Sequence, residues 1–196
     1  MSDASPNIPR RTFLALGAAG AAGIALVALR RAASAVPHVR AMTTAPTDVL
    51  IVMFDDTGKR TGAQKVPKIV KTEAEWRKQL SPLAYNVTRE EGTEYAFSGP
   101  YWDNHERGIY RCICCDTALW SSADKFDSGT GWPSFTKPLA KENIVETTDT
   151  TFGMTRTAIA CARCDAHQGH VFDDGPPPAG LRYCINSVSM RFVKSA

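Results

Sequence analysis

The sequence predicts a mainly β fold with one or two short helices near its front. From Glu94 onward, short runs rich in β-branched and aromatic residues alternate with Gly, Pro, Asp and Ser, a pattern typical of strands joined by turns. Within "TRTAIAC" and "SVSMRFV" apolar and polar residues alternate, as they do in strands that bury one face. Two Cys-x-x-Cys pairs lie inside this region and indicate a metal site that joins distant strands.

The elements at the front are predicted from local signals. "DVLIVMFDDTGKRTGAQKV" gives an apolar run, a turn signal and a polar return, which predicts a strand, a turn and an extended segment. "KTEAEWRKQLS" is the clearest helix, because Thr72 and Glu75 can form a capping box. Trp76 and Leu80 then share one helical face. A second short helical turn is expected over residues 82–89.

Residues 1–35 resemble an export signal of the twin-arginine type. Arg10 and Arg11 form a basic start, residues 13–29 are apolar and uncharged, and Ala-Ser-Ala at 33–35 offers a small-residue cleavage site. The alternatives are a retained membrane anchor, for which the apolar run is at the short end, and a soluble helix. We expect an exported protein in the periplasm or another extracytoplasmic space, held at the membrane only if the leader is uncleaved.

Removal of the leader leaves a linker at 36–47 and one domain at 48–196. The count of basic residues falls from 23 to 19 and that of acidic residues from 20 to 19, so the remaining chain is formally neutral. A nucleic-acid surface needs a basic patch, and this balance argues against one.

Four cysteines have the spacing of a structural zinc site. Two Cys-x-x-Cys turns can present four thiolates in a tetrahedron, and four protein ligands leave no open position for catalysis. The alternatives are two disulfides, which an oxidising compartment would permit, and redox motifs, which normally open a helix. The predicted ligands are Cys112, Cys115, Cys161 and Cys164.

Two cysteines remain outside this set. Cys114 lies inside the first pair and is either a buried bystander or a redox partner. Cys184 stands alone in a strand-like stretch, downstream of His167 and His170. A thiol with a nearby proton donor can act as a nucleophile, although such histidines can also be plain hydrogen-bonding loop residues. Trp132, between Gly and Pro, either forms one wall of a site for an apolar ligand or packs locally over its own loop.

The stretch from Glu75 to Phe192 resembles the B-type methionine sulfoxide reductases. The matching segments are "GTEYAFSG", "GIYRCICC", "KFDSGTGWPSF", "ACARCDAHQGHVFDDGP" and "GLRYCINSVSMRF", and together they are very specific. The resemblance implies two small antiparallel sheets in a distorted barrel-like arrangement. It also implies thiol-dependent reduction of methionine R-sulfoxide in the repair of oxidised proteins, with the free amino acid left open as a second substrate.

The resemblance assigns a role to each matching position. Cys184 matches the nucleophile, which becomes a sulfenic acid. His167, His170 and Asn186 match residues that bind and protonate the sulfoxide oxygen, and His170 is the expected proton donor. Trp132 matches the aromatic that holds the S-methyl group, and Arg182 lies near the nucleophile. The four paired cysteines match the zinc ligands.

The chain departs from many family members at Thr130, where they place a resolving cysteine. Either Cys114 serves as an alternative resolver or an external thioredoxin-like reductant attacks the sulfenic acid, and we favour the reductant. A monomer is the default expectation. The rival interpretations are a zinc-ribbon binding module, which does not explain Cys184, and a disulfide-stapled secreted domain, which predicts no metal.

Overall fold

The computed structural model describes residues 47–195. The predicted leader at 1–35 and the linker at 36–47, apart from Thr47, lie outside these residues. Within 47–195 no helix is both long and apolar enough to cross a membrane.

The described chain is mainly β, as predicted, with two helices near the front. The helices are α1 (Glu73–Gln79) and α2 (Pro82–Arg89). The strands are β1 (Asp48–Phe54), β2 (Arg60–Pro67), β3 (Gly108–Cys112), β4 (Ala118–Ser121), β5 (Lys125–Phe126), β6 (Ser134–Phe135), β7 (Ile144–Asp149), β8 (Arg156–Cys161), β9 (His167–Phe172), β10 (Arg182–Ile185) and β11 (Met190–Lys194).

Both predicted helices are confirmed. The Thr72 backbone N–H donates to the Glu75 carboxylate at 2.8 Å, and the Glu75 N–H donates to the Thr72 hydroxyl at 3.3 Å, which completes the capping box. Trp76 is buried in the main core. Ser81 caps α2 and Pro82 occupies its first turn, where a missing N–H costs nothing.

The first two strands form an antiparallel hairpin, so the predicted strand and turn are confirmed and the expected extended segment is a second strand. Asn143, fully buried, ties this hairpin to the core. Its side chain accepts from Val52 N and donates to Val52 O and Ala118 O, each at 2.8 Å. A buried amide that makes these bonds leaves few of its polar groups unsatisfied, so Asn143 helps to fix the hairpin in position.

Two further antiparallel sheets carry the rest of the fold. One has six strands in the order β5-β6-β10-β9-β8-β7, and the other has three in the order β11-β3-β4. Aromatic side chains from both meet in the core, where the Trp120 and Phe135 rings stack at 5.2 Å and Tyr110 meets Phe135 edge-on at 5.3 Å. Such pairs add to the free energy gained by burial.

The expected two-sheet, barrel-like arrangement needs correction. The structure has three sheets including the hairpin, and they are open, because the edge strands β5 and β7 do not pair with each other. Strands β5 and β6 are only two residues long, so that edge offers too few backbone groups to close a barrel. Strand β10 lies inside the six-stranded sheet, with β6 and β9 on its two sides.

Candidate active site

The four paired cysteines lie in two equivalent turns, one after β3 and one after β8. Asp116 N donates to Cys112 O and Asp165 N donates to Cys161 O, both at 2.9 Å. Asp116 and Asp165 have φ of 65° and 56°, a left-handed conformation that Asp tolerates better than most residues. The same local geometry therefore turns each pair of thiols toward one point.

The four sulfur atoms form a compact donor set. All lie within 4.8 Å of one another, with 3.7 Å between Cys112 and Cys164 and 3.5 Å between Cys115 and Cys161. Zinc–sulfur bonds of about 2.3 Å in a tetrahedron place the sulfurs about 3.8 Å apart. The four cysteines are thus arranged to hold a metal ion, and thiolate chemistry with this spacing fits zinc.

Cys114 lies in the first turn and does not line the cavity of the predicted nucleophile. It is 5% exposed and packs in the main core. Its backbone O accepts a hydrogen bond from Gln79 Nε2 at 2.8 Å, which anchors the turn to α1. Cys114 is absent from the lining of the cavity beside Cys184, so the structure does not bring these two thiols into one site.

Cys184 lies on β10, opposite His170 of β9 and Ser134 of β6. Its half-buried thiol lines a cavity of about 150 Å³. Burial raises the pKa of this thiol, while the positive charge of Arg182 and hydrogen bonds from Thr130 and Arg182 oppose the rise. The cavity is lined by Thr93, Trp132, Arg156, Gly169, His170, Phe172, Cys184 and Asn186.

His170 is bonded to a carboxylate that sequence reasoning missed. Its Nε2 lies 2.8 Å from Asp149 Oδ2, which also accepts from Arg156 at 2.7 Å. Hydrogen bonds from Thr151, then that from His170, hold the pKa of Asp149 well below its ordinary value. Asp149 is therefore ionised at neutral pH and can stabilise a positive charge on His170.

His167 is set deeper than His170. It is 5% exposed, and its Nε2 has no hydrogen-bond partner among residues 47–195. Burial lowers the pKa of His167 to about 4, helped by the charges of His170 and Arg156, so the ring is neutral at neutral pH. The two ring centres are 5.3 Å apart. Only His170 lines the cavity, which makes it the better placed of the two predicted proton donors.

Glu94 holds two of the predicted substrate-binding residues in place. Its backbone O accepts from Trp132 Nε1 at 3.1 Å, and its N–H donates to Asn186 Oδ1 at 3.0 Å. Its own buried carboxylate accepts from the Ser187 N–H at 2.6 Å and the Val188 N–H at 3.0 Å. Glu94 lies within "GTEYAFSG", but the sequence did not predict its role, because that role depends on contacts with residues distant in the chain.

Trp132 and Arg182 both lie near Cys184, but only Trp132 lines its cavity. The Trp132 ring is half-buried and forms part of the cavity wall. Arg182 makes a two-pronged ion pair with Asp174, at 2.8 and 2.9 Å, and lies 4.5 Å above the Phe172 ring. Asp174 was also missed, and it fixes the cation that favours the thiolate.

Comparison with known proteins shows the family of this chain. The SelR domain family matches residues 80–194. The chain is 58% identical over 125 residues to a "Peptide methionine sulfoxide reductase MsrB" of Herminiimonas arsenicoxydans. This match covers 64% of this chain and 91% of the relative. It is 60% identical over 122 residues to the protein of that name from Thiobacillus denitrificans, with 62% and 92% covered. The Agrobacterium fabrum protein is 55% identical over 126 residues, with 64% and 93% covered. The chain therefore belongs to the SelR-domain family of B-type peptide methionine sulfoxide reductases.

Proposed function

We propose that this chain reduces methionine R-sulfoxide to methionine, in oxidised proteins and as the free amino acid, with Cys184 as the nucleophile. The observation that carries the proposal is the placement of this thiol in a cavity beside Trp132 and His170. An apolar ring can contact an S-methyl group while a histidine serves the polar sulfoxide oxygen. The five other cysteines lie in or beside the two metal-binding turns.

The reaction is a thiol attack on an activated sulfoxide. The Cys184 thiolate forms a bond to the substrate sulfur as His170 protonates the sulfoxide oxygen. Transfer of that oxygen to the cysteine breaks the sulfur–oxygen bond, so that methionine leaves and Cys184 becomes a sulfenic acid, the first step of thiol oxidation. The substrate gains two electrons and the cysteine sulfur loses two.

Asn186 is placed to bind the sulfoxide oxygen. It lines the cavity, and its amide is held by bonds to Gln168 O and Glu94 N, both at 3.0 Å. One N–H of the amide is left over after these bonds, since a primary amide carries two donors. A fixed donor of this kind favours the developing charge without reorganisation during the reaction.

Return to the thiol form requires two electrons from outside the chain. We assign this step to a thioredoxin-like dithiol, which attacks the sulfenic sulfur, releases water and leaves as a disulfide after a second exchange. Thr130 supports the assignment, because its hydroxyl contacts Cys184 at the position where many family members carry a resolving cysteine.

The metal site has a structural role in this proposal. Four cysteine ligands would complete the coordination of zinc and leave no position for substrate. The site would instead join the turns after β3 and β8, and so fix the start of β9, the strand that carries His170.

The paired arginines, the apolar run and the small-residue site in residues 1–35 support export by the twin-arginine route. We assign the enzyme to an extracytoplasmic space. A chain that folds before crossing the membrane can bind zinc before its thiols meet oxidants.

The deciding experiment supplies the R and S epimers of a methionine sulfoxide separately to purified enzyme with excess dithiothreitol. Methionine formed from the R epimer alone supports the proposal. Turnover of neither epimer by a folded, zinc-loaded sample overturns it and favours the zinc-ribbon binding module.

A further inference from the structure

We propose that Asp149 is a positioning residue for the reaction: it fixes which ring nitrogen of His170 serves the substrate and stabilises the ring when it is protonated. This inference rests on the proposed function. It starts from a carboxylate at the end of the edge strand β7 that reaches past β8 to a side chain on β9.

The Asp149 carboxylate is held from both sides. Oδ1 accepts from the Thr151 N–H at 2.9 Å and from the Thr151 hydroxyl at 2.7 Å. Oδ2 accepts from Arg156 at 2.7 Å and faces His170 Nε2 at 2.8 Å. Asp149 and Arg156 are also partners in the β7–β8 register. A carboxylate with both oxygens engaged has one orientation, so its bond to His170 is set by the fold.

The bond determines the chemistry of the imidazole ring. An ionised carboxylate can only accept hydrogen bonds, so His170 Nε2 must carry the proton in this pair. The other nitrogen, Nδ1, has no hydrogen-bond partner among residues 47–195 and does not count among their buried unpaired atoms. When the ring is protonated on both nitrogens, Nδ1 is therefore the one whose proton can pass to a substrate in the cavity that His170 lines.

The groups around His170 favour these separate roles, with Nε2 bonded to Asp149 and Nδ1 serving the substrate. The titratable and charged groups that face it are Asp149 from β7, Arg156 from β8, His167 from its own strand and Cys184 from β10. Arg156 opposes a positive charge on the ring, but its guanidinium is itself paired with Asp149 at 2.7 Å. His167 is neutral at neutral pH. Asp149 is thus the group that offsets the charge on protonated His170.

Single-turnover methionine formation by Asp149→Asn tests the proposal, with reduced enzyme in excess over an R-sulfoxide so that recycling does not limit the rate. An amide in place of Oδ2 presents an N–H to His170 Nε2 and reverses the ring's proton preference. We expect the maximal single-turnover rate to fall about 10- to 100-fold, with little change in the enzyme concentration that gives half of that rate. The decline of the rate at high pH should begin at a lower pH.

Glu146→Gln is the matched control. It removes the same charge from the same strand, but Glu146 bonds Tyr183 at 3.3 Å and not His170. We expect its rate to stay within about threefold of wild type, because Glu146 does not contact His170. A loss of general acid catalysis would be larger, since such catalysis typically contributes 100-fold or more. An Asp149→Asn rate and pH profile equal to those of the control would overturn the proposal. A wild-type enzyme that leaves the R epimer unreduced would instead overturn the proposed function.

A measurement on the unaltered protein covers the case in which Asp149→Asn fails to fold. Nitrogen-15 NMR distinguishes the two neutral tautomers of a histidine. We expect neutral His170 to carry its proton on Nε2 in the wild-type enzyme. A neutral ring protonated on Nδ1 would contradict the Asp149 bond and overturn the inference without any variant.

Discussion

The local backbone structure separates the metal-binding cysteines from the reactive Cys184. Cys112 and Cys161 end strands and enter turns that direct their sulfurs to a shared metal position. Cys184 lies within a strand, where the pleat directs its side chain to one face and to the cavity beside His170. A strand position thus keeps the reactive thiol apart from the metal-binding ones.

Replacing Cys184 by serine should abolish turnover and leave zinc content and melting temperature unchanged. A hydroxyl is nearly the same size but is a far weaker nucleophile near neutral pH, and Cys184 is not among the four predicted ligands. Methionine release, zinc per chain and thermal unfolding measured on one preparation check all three statements. Loss of zinc in this variant would contradict the separation of the two classes of thiol.

His167 should make the folded protein sensitive to acid. Its folded pKa, about 4, lies below its ordinary value of 6.5, so between these values the unfolded chain binds a proton that the folded one does not. The free energy of unfolding should therefore decrease as pH falls from 6.5 to 4, by up to about 3 kcal/mol from this residue.

Urea unfolding of wild type and His167→Gln across that pH range isolates the contribution of His167. Both proteins lose zinc as their thiolates are protonated. The contribution of His167 is therefore the difference between their two plots of unfolding free energy against pH. The wild type should lose stability more steeply on acidification. Parallel curves would mean that His167 binds a proton equally well in the folded and the unfolded chain.

Some residues of the site could be predicted from the sequence, and others could be identified only from the fold. Cys184 and Trp132 stand in distinctive local contexts, and a resemblance could assign them roles. Asp149, Glu94 and Asp174 are ordinary acidic residues in sequence. Their tasks arise because the fold brings Asp149 to His170 and Glu94 to the turn after β10, and such long-range contacts leave no local pattern.

The same division holds for whole elements. The capping box at Thr72 and the turn signal after β1 are local, and they predicted α1 and the turn of the first hairpin correctly. The order and openness of the sheets depend on pairings between strands distant in sequence, such as β6 with β10. Two-residue strands at 125–126 and 134–135 carry too little alternation to be seen in advance, and they explain why the barrel-like expectation was wrong.

The two metal-binding turns should stabilise the domain as one unit. Cys112→Ser and Cys164→Ser each remove one ligand, from different turns, and should have the same effect. We expect zinc to be lost and the free energy of unfolding to fall by several kcal/mol, because structural zinc binding contributes on the order of 10 kcal/mol to folding. Zinc analysis combined with urea unfolding measures both effects.

Cys114→Ser is the control for these variants. It changes a buried thiol in the same turn that is not one of the four ligands. Zinc should stay at one ion per chain, and the loss of stability should be smaller than for either ligand variant. Ligand variants that lose zinc but keep the unfolding free energy of the wild type would show that the metal does not stabilise the fold.

At the scale of the molecule, the positions of the thiols decide how the enzyme is recycled. Cys114 is in the core beside the metal-binding turns, and Thr130 occupies the loop position next to Cys184. Oxidation of the wild type by one equivalent of an R-sulfoxide, with no reductant present, should therefore stop at a sulfenic acid on Cys184. Dimedone labelling and mass spectrometry of the digested protein would locate it.

The same experiment on Cys114→Ser separates the two routes of recycling. If the reductant comes from outside, the variant and the wild type should give equal dimedone labelling of Cys184. Both should then regain activity when a thioredoxin-like dithiol protein is added, because attack on the Cys184 sulfur needs no second cysteine in this chain. A disulfide between Cys184 and Cys114 in the wild type, replaced by a stable sulfenic acid in the variant, would contradict this prediction. It would also require the turn after β3 to open during each cycle, with loss of zinc as its measurable consequence.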